Sequence, residues 1–181
     1  MNKKIIILNG SPHKQGNTSK LTASFRKGAE VSGNTVTEFH LDSMNINGCK
    51  GCFCGGKDFE FPCVQNDDMN KIYPIYREAD VVVLASPLYY WNLSGQLRTA
   101  FDRLFAVAEC NPDYSNPKKD AVLLMAAEGD EFDDVLLYYK NLMKHLDWTD
   151  LGYVLAGGVM MPNDIEGHKE LEEAYKLGLS I

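Results

Sequence analysis

The sequence predicts a three-layer α/β domain built around a parallel sheet. Short uninterrupted apolar runs recur along the chain, and each is followed by a longer segment whose apolar residues repeat every three or four positions. Continuous apolar strands need cover on both faces, and helices in the connections supply it while making neighbouring strands parallel. The scale agrees: 181 residues, 45% hydrophobic and 24% charged, suit a single domain over 1–181 whose core needs no disulfide staples.

Taken in order, Lys3 to Asn9 is the first strand, closed by Gly10-Ser11-Pro12. Leu21, Phe25 and Ala29 place a helix from Asn17 to Ser32, and Thr35 to Leu41 alternates as the second strand. Asp67 or Asp68 is positioned to cap a helix reaching Glu78, with Met69, Ile72 and Ile75 or Tyr76 as its apolar stripe. Val81 to Ala85 is the third strand. From Leu93 onward, Leu97, Ala100, Phe101, Leu104 and Phe105 share one helix face. A surface loop from Asn111 to Lys119 leads to the fourth strand, Ala121 to Ala127. Val135, Tyr139, Leu142, Met143 and Leu146 mark the next helix, Tyr153 to Val159 the fifth strand, and Asp164 to Gly178 the last helix. Between Leu41 and Asp67 no period is visible. A patternless stretch of that length inside a compact domain is usually functional, so residues 43–66 read as an inserted loop.

Composition excludes several roles. Twenty-five acidic against 18 basic residues give a formal charge of −7, the wrong sign for a nucleic-acid binder, which displaces phosphate counterions with a basic face. No apolar run approaches the roughly 18 residues that cross a bilayer. The short run Ile5-Ile6-Ile7-Leu8 ends at Asn9-Gly10, too soon for a signal-peptide core, and the chain reads as cytoplasmic. Its odd count of five cysteines does not describe a disulfide-stapled secreted domain.

Ligands of open α/β sheets sit at the carboxyl ends of the strands. The first such loop runs from Gly10 to Ser19 into a helix start, where unpaired amides and the macrodipole favour an anion. Ser11, Asn17, Thr18 and Ser19 add donors. Five residues separate Gly10 from Gly16, and Asn17 follows, so this is not a Walker A loop; the G-x-G-x-x-G dinucleotide fingerprint is missing as well. The third strand ends in Ser86-Pro87-Leu88-Tyr89-Tyr90-Trp91, an aromatic wall for a flat ring or for a partner surface. Ala126-Ala127-Glu128-Gly129 closes the same cleft from the fourth strand. A phosphate cradle and an aromatic wall together describe a mononucleotide with a planar ring, for which FMN is the natural candidate.

The pattern Gly10-Ser11-Pro12 through Gly16-Asn17-Thr18, Cys49-Lys50-Gly51-Cys52, Asp67-Asp68-Met69, Ser86-Pro87-Leu88-Tyr89 through Gly95-Gln96-Leu97-Arg98, and Phe101-Asp102-Arg103 resembles the NADPH-dependent FMN reductase and iron–sulfur flavoprotein branch of the flavodoxin-like proteins. The resemblance implies a 2-1-3-4-5 strand order, noncovalent FMN, and a homodimer or higher oligomer with the ring near a subunit interface. It places Ser11, His13, Asn17, Thr18 and Ser19 around the phosphate, Pro87, Leu88, Tyr89, Tyr90 and Trp91 against the isoalloxazine, and Glu128 and Gly129 at its far edge. Electrons then pass from NAD(P)H through the flavin to a small-molecule acceptor, quinone-like, flavin or other. The protein contributes stacking, edge hydrogen bonds and access, and no residue is assigned as catalytic.

Iron–sulfur members of that branch carry four clustered cysteines, with two residues between the first and second and two between the second and third. Here Cys49 and Cys52 keep the first spacing, Cys54 follows after Phe53 alone, and Cys63 comes eight residues later. These four read first as free thiols and second as ligands of an iron–sulfur cluster or zinc. An electron-transfer flavoprotein serving protein partners without nicotinamide, with or without such a cluster, is the alternative function. Asp67-Asp68 reads as a helix cap, and His40, His145 and His168 lack neighbours at metal-ligand spacing.

Overall fold

The computed structural model describes residues 2–181. Five strands, β1 (Lys4–Asn9), β2 (Thr35–His40), β3 (Val81–Pro87), β4 (Asp120–Ala126) and β5 (Thr149–Ala156), form one sheet. All neighbours are parallel and their order is β2-β1-β3-β4-β5, the topology implied by the resemblance. The helices are α1 (Asn17–Val31), α2 (Met69–Glu78), α3 (Gly95–Arg103), α4 (Phe105–Ala108), α5 (Asp133–Leu146) and α6 (Lys169–Leu179).

The period of two within each buried strand sorts its side chains between two cores. Ile6, Leu8, Val82 and Leu84 meet α2, α3 and α5 through Ile72, Leu97 and Tyr139. Ile5, Ile7, Val83 and Leu124 face α1 and α6 through Leu21, Phe25 and Ala174. The connections after β1 and β3 therefore leave the sheet on opposite faces.

Three boundaries differ from the sequence reading. The fifth strand starts at Thr149, because it is an edge strand whose first half faces solvent and shows no apolar run. Its register with β4 shifts between Ala121 and Leu123, where Gly152 adopts φ +126°. The last helix begins at Lys169: Asp164 Oδ2 instead accepts from the Met160 and Met161 amides at 3.0 and 2.6 Å, closing a turn. The long helix expected after Leu93 breaks at Leu104 into α3 and the short α4.

α1 and α6 cross with their main chains in contact. A Cβ on Gly28 would overlap the Tyr175 carbonyl oxygen, and one on Gly178 would overlap that of Phe25. Ser24 Oγ donates to the Leu171 carbonyl at 2.6 Å and Ser32 Oγ to that of Leu179 at 2.5 Å, reinforcing the crossing. Overpacking of this kind costs about 1–3 kcal/mol. Gly28→Ala is accordingly expected to lower the unfolding free energy by that amount, seen as a lower urea midpoint with an unchanged m-value. An unshifted midpoint would show that the two helices part freely.

Candidate functional site

Because the chain departs from β1 and β3 to opposite faces, their carboxyl ends open a crevice at the switch point. Two buried serines hold its floor. The Gly10 amide donates to the Ala85 carbonyl at 2.8 Å, Ser94 Oγ donates to the Gly10 carbonyl at 2.8 Å, and the Ser94 amide donates to Ser86 Oγ at 2.8 Å. Ser94 also caps α3, accepting from the Leu97 amide. Gly10 must be glycine here, since a Cβ would stand 2.7 Å from that of Leu97.

The β1–α1 loop folds on its own side chains. Asn9 Oδ1 accepts from the Ser11 amide at 3.0 Å, Ser11 Oγ accepts from the His13 amide at 3.2 Å, and the hydroxyls of Ser11 and Ser19 both lie against the His13 carbonyl. The first helical bond of α1 runs from the Lys20 amide to the Gly16 carbonyl. Among the described residues, the amides of Asn17, Thr18 and Ser19 meet no acceptor, and α1 has neither a side-chain cap nor an acidic residue in its first turn. Thr18, almost fully buried, brings the unengaged hydroxyl to the same turn. This end of α1 presents donors and positive potential with nothing to neutralise them.

The Asn17 side chain does not face that turn. Its Nδ2 donates to the Val159 and Met161 carbonyls at 3.3 and 3.0 Å, and its Oδ1 accepts from the Ile165 amide at 3.4 Å. It ties the β5–α6 loop to α1. The Ser19 hydroxyl is likewise committed, to Asn9 and His13.

The crevice widens into a cleft of about 760 Å³, within the roughly 300–1,000 Å³ of ligand pockets. Ser11, His13, Asn17, Thr18, Pro87, Leu88, Tyr89 and Glu128 all line it, while Ser19, Tyr90, Trp91 and Gly129 do not. Tyr90 and Trp91 occupy a tight turn in which the Tyr89 and Asn92 amides and carbonyls pair at 3.0 and 3.1 Å. Both central residues have positive φ, +48° and +56°, and Tyr90 is 95% exposed. Val159, Met160, Pro162 and Asn163 form a wall the sequence reading missed. Gly157-Gly158 after the fifth strand was its signal, since the strand-end rule applies there too. A groove of about 890 Å³ at the amino ends of the strands is lined by charges already paired, Lys3 with Asp120 and Lys118 with Asp147, and offers no comparable donors.

The cysteine loop is closed at its base by a buried ion pair. Arg103 Nη1 and Nη2 hold Asp67 Oδ2 and Oδ1 at 2.7 and 3.1 Å, with both side chains 1% exposed. Nη1 also donates to the Asn47 carbonyl at 2.7 Å, and Asp67 accepts from the Asn47 and Met69 amides. Asp67 is thus the partner of an arginine as well as a turn former, and Asp68 occupies the cap position while pairing with Lys71. Burial pushes the Asp67 carboxyl up, but the hydrogen bonds from Arg103, Asn47 and Met69 outweigh it and hold the group below its ordinary value. Cys49, Cys52 and Cys63 line one small cavity and Cys54 does not. Among the described residues no three His, Cys, Asp or Glu side chains are arranged to hold a single metal ion.

Two predictions follow from these geometries. A turn with two positive-φ residues favours Asn-Gly, and each strained residue costs on the order of 1–3 kcal/mol. Tyr90→Asn combined with Trp91→Gly should raise the melting temperature, and a lowered one would mean the aromatic rings repay the strain. Asp67→Asn should cost about 3–5 kcal/mol at neutral pH by leaving Arg103 unpaired. The carboxylate's stabilisation is complete above its unfolded value of about 3.9 and is lost as pH falls through its lower folded value. Acid titration by circular dichroism should therefore show the difference between wild type and variant narrowing below about pH 4. A constant difference would contradict the assignment.

A parallel sheet in this order with an anion cradle at its switch point is a flavodoxin-like domain. The family model described as NADPH-dependent FMN reductase matches residues 3–165, and the chain belongs to that family of FMN-dependent oxidoreductases. It is similar to an iron-sulfur flavoprotein of Archaeoglobus fulgidus, 34% identical over 98% of this chain and 78% of that protein. It is also similar to one from Methanosarcina thermophila, 35% identical over 55% of this chain and 51% of that protein. The fold matches an NAD(P)H:quinone oxidoreductase from Methanothermobacter marburgensis with a TM-score of 0.72 at 18% identity, covering 99% of this chain and 97% of that one. It matches an FMN-dependent NADH-azoreductase from Bacillus anthracis in complex with FMN at 0.62 and 16% identity, over 97% and 96%. No described helix is long and apolar enough to cross a membrane.

Proposed function

We propose that this chain binds FMN in the carboxyl-end cleft, takes electrons from NAD(P)H, and passes them to a quinone-like, flavin or other small acceptor. The observation that carries this reading is the uncapped start of α1, whose free amides open into a cleft with an apolar wall. FMN supplies the redox chemistry, accepting a hydride and releasing electrons singly or in pairs.

The chain's own residues bind and orient it. The Asn17 and Thr18 amides and the Thr18 hydroxyl would hold the phosphate, with the Ser19 amide behind them, Ser11 shaping the loop and His13 at its mouth. The Asn17 and Ser19 side chains act from behind, fixing the β5–α6 loop and the His13 carbonyl. Pro87, Leu88 and Tyr89 flank the ring, with Glu128 at the far edge and Gly129 just outside the cleft. Tyr90 and Trp91 follow Tyr89 out of the cleft and are exposed, as are Met160 and Met161, apolar surface that a second copy of the chain would cover in a homodimer or higher oligomer. No acid or base is required. The five free thiols suit the reducing cytoplasm.

A second reading, an electron-transfer flavoprotein carrying an iron–sulfur cluster and serving protein partners, has one observation in its favour. Three of the four clustered cysteines share a cavity, and the Archaeoglobus and Methanosarcina relatives are named iron-sulfur flavoproteins.

The test is a visible spectrum of the purified protein followed by anaerobic NADPH. A two-banded flavin spectrum that bleaches is expected; bound flavin that stays oxidised would favour the electron carrier. A colourless protein that takes up no added FMN would overturn both. Thr18→Val should weaken FMN binding about tenfold, since a hydrogen bond to a charged group contributes roughly 1.5–3 kcal/mol and each 1.4 is a factor of ten. Flavin fluorescence titration measures it, and an unchanged affinity would remove the hydroxyl from the phosphate site.

A further inference from the structure

Glu38 is a charge at a position where the sheet otherwise carries apolar side chains. On the edge strand β2, the period of two puts it on the same face as Val36, which packs against the α1 and α6 core. Its register partner on β1 is Ile7, fully buried in that core. A carboxylate held there is costly unless hydrogen bonds meet its oxygens. Oε2 pairs with Arg26 Nη2 at 2.8 Å, and Oε1 accepts from Asn9 Nδ2 at 2.9 Å and from Thr22 Oγ1 at 3.2 Å. Thr22 and Arg26, four residues apart on α1, hold the group from the helix side, and Arg26 balances its charge.

The bond to Asn9 is the one that leads toward the cleft. Asn9 is fully buried at the end of β1, where its carboxamide has two possible orientations. Its Nδ2 needs two acceptors, and Glu38 Oε1 and Ser19 Oγ provide them at 2.9 and 3.2 Å. Ser19 spends its own proton on the His13 carbonyl at 2.9 Å, so toward Asn9 it accepts. With Nδ2 turned that way, Oδ1 faces the Ser11 amide and accepts from it at 3.0 Å. Ser11 Oγ in turn accepts from the His13 amide at 3.2 Å. A reversed carboxamide would set N–H against the Ser11 N–H, and a carbonyl oxygen against the Glu38 carboxylate. Glu38 therefore decides the orientation of Asn9, and Asn9 the course of the loop from Ser11 to His13. Neither Glu38 nor Asn9 borders the cleft.

We infer that Glu38 is a positioning residue for the phosphate loop, acting through Asn9 on Ser11 and His13. It touches no ligand. It holds the β1–α1 loop in the form that leaves the first amides of α1 open to an anion. The inference rests on the FMN reading above, and it adds a residue from a strand that contributes nothing to the cleft wall.

The test compares FMN with riboflavin, which has the same ring and ribityl chain and no phosphate, by fluorescence titration of the full chain. A residue that only stabilises the fold would weaken both ligands together, whereas one that shapes the phosphate loop changes their ratio. Glu38→Met keeps the length of the side chain and removes the acceptor. It should lower the ratio of FMN to riboflavin affinity about tenfold, roughly 1.4 kcal/mol. Glu38→Gln, whose Oε1 can still accept from Asn9, should return the ratio to within about twofold of wild type. Asn9→Leu should lower the ratio as Glu38→Met does, and the two together should lose no more than either alone. Thr22→Val removes a bond to the same carboxylate without touching Asn9, and should leave the ratio unchanged. If Glu38→Met does not fold, Glu38→Leu, which continues the apolar face of Ile7 and Val36, takes its place. An unchanged ratio in the folded Met or Leu variant would overturn the inference while leaving the FMN reading intact. So would a Gln variant as weak as the Met one, additive losses in the double variant, or an equal loss in Thr22→Val. A wild type that binds riboflavin as tightly as FMN, or binds neither, would overturn the phosphate cradle itself.

Discussion

The whole arrangement hangs on β1 and β3 lying side by side while their connections leave on opposite faces of the sheet. Backbone cannot cover both strand ends at once, so the gap between them is obligatory. What the sequence decides is how that gap is lined. Gly10 lets the β1 loop approach α3 closely enough for Ser94 to bond its carbonyl, and Ser86 receives the Ser94 amide from below. These buried hydrogen bonds fix the separation of the two strand-end loops and so the width of the cleft between them.

α3 carries that order further. It begins at the Ser94 cap on the cleft floor and ends at Arg103 beneath the cysteine loop, a nine-residue rod about 13 Å long. One rigid element therefore indexes both places. The Asp67–Arg103 pair gathers the two ends of a patternless stretch, Asn47 and Asp67, onto the same helix end. The loop is fastened at its base and again along its length, where Phe53 packs edge-on to Phe105 and Arg77 donates to the Phe59 carbonyl.

Most of the architecture was legible because buried parallel strands advertise themselves as apolar runs and their covering helices as stripes. The sheet order followed from the resemblance and not from periodicity, which carries no information on which strands neighbour which. The first strand-end loop was readable as a run of polar side chains, yet the donors it leaves without acceptors at the start of α1 are main-chain amides. Asn17 and Ser19 have the right donors but spend them on the β5–α6 loop and on His13. The edge strand β5 was misplaced because solvent on one side permits polar residues, and the Met160 wall after it was missed with it. Tyr90 and Trp91 were read as facing the ring, but two consecutive left-handed residues turn them to the rim. A dihedral of that sort leaves no trace in composition.

The crossing of α1 with α6 reaches the cleft by an indirect route. α1 carries the cradle at its first turn, and glycine-to-main-chain contact with α6 clamps it further along. Regions of a native protein open in cooperative units of unequal stability, and among the described elements α6 is an outer helix held chiefly by α1. Opening of α6 would strip one flank of α1, which would keep its packing on the sheet and the three unanswered amides of its first turn. An anion that bound that turn in the closed form alone would lengthen the hydrogen-exchange lifetime of the distant terminal helix as its occupancy rose.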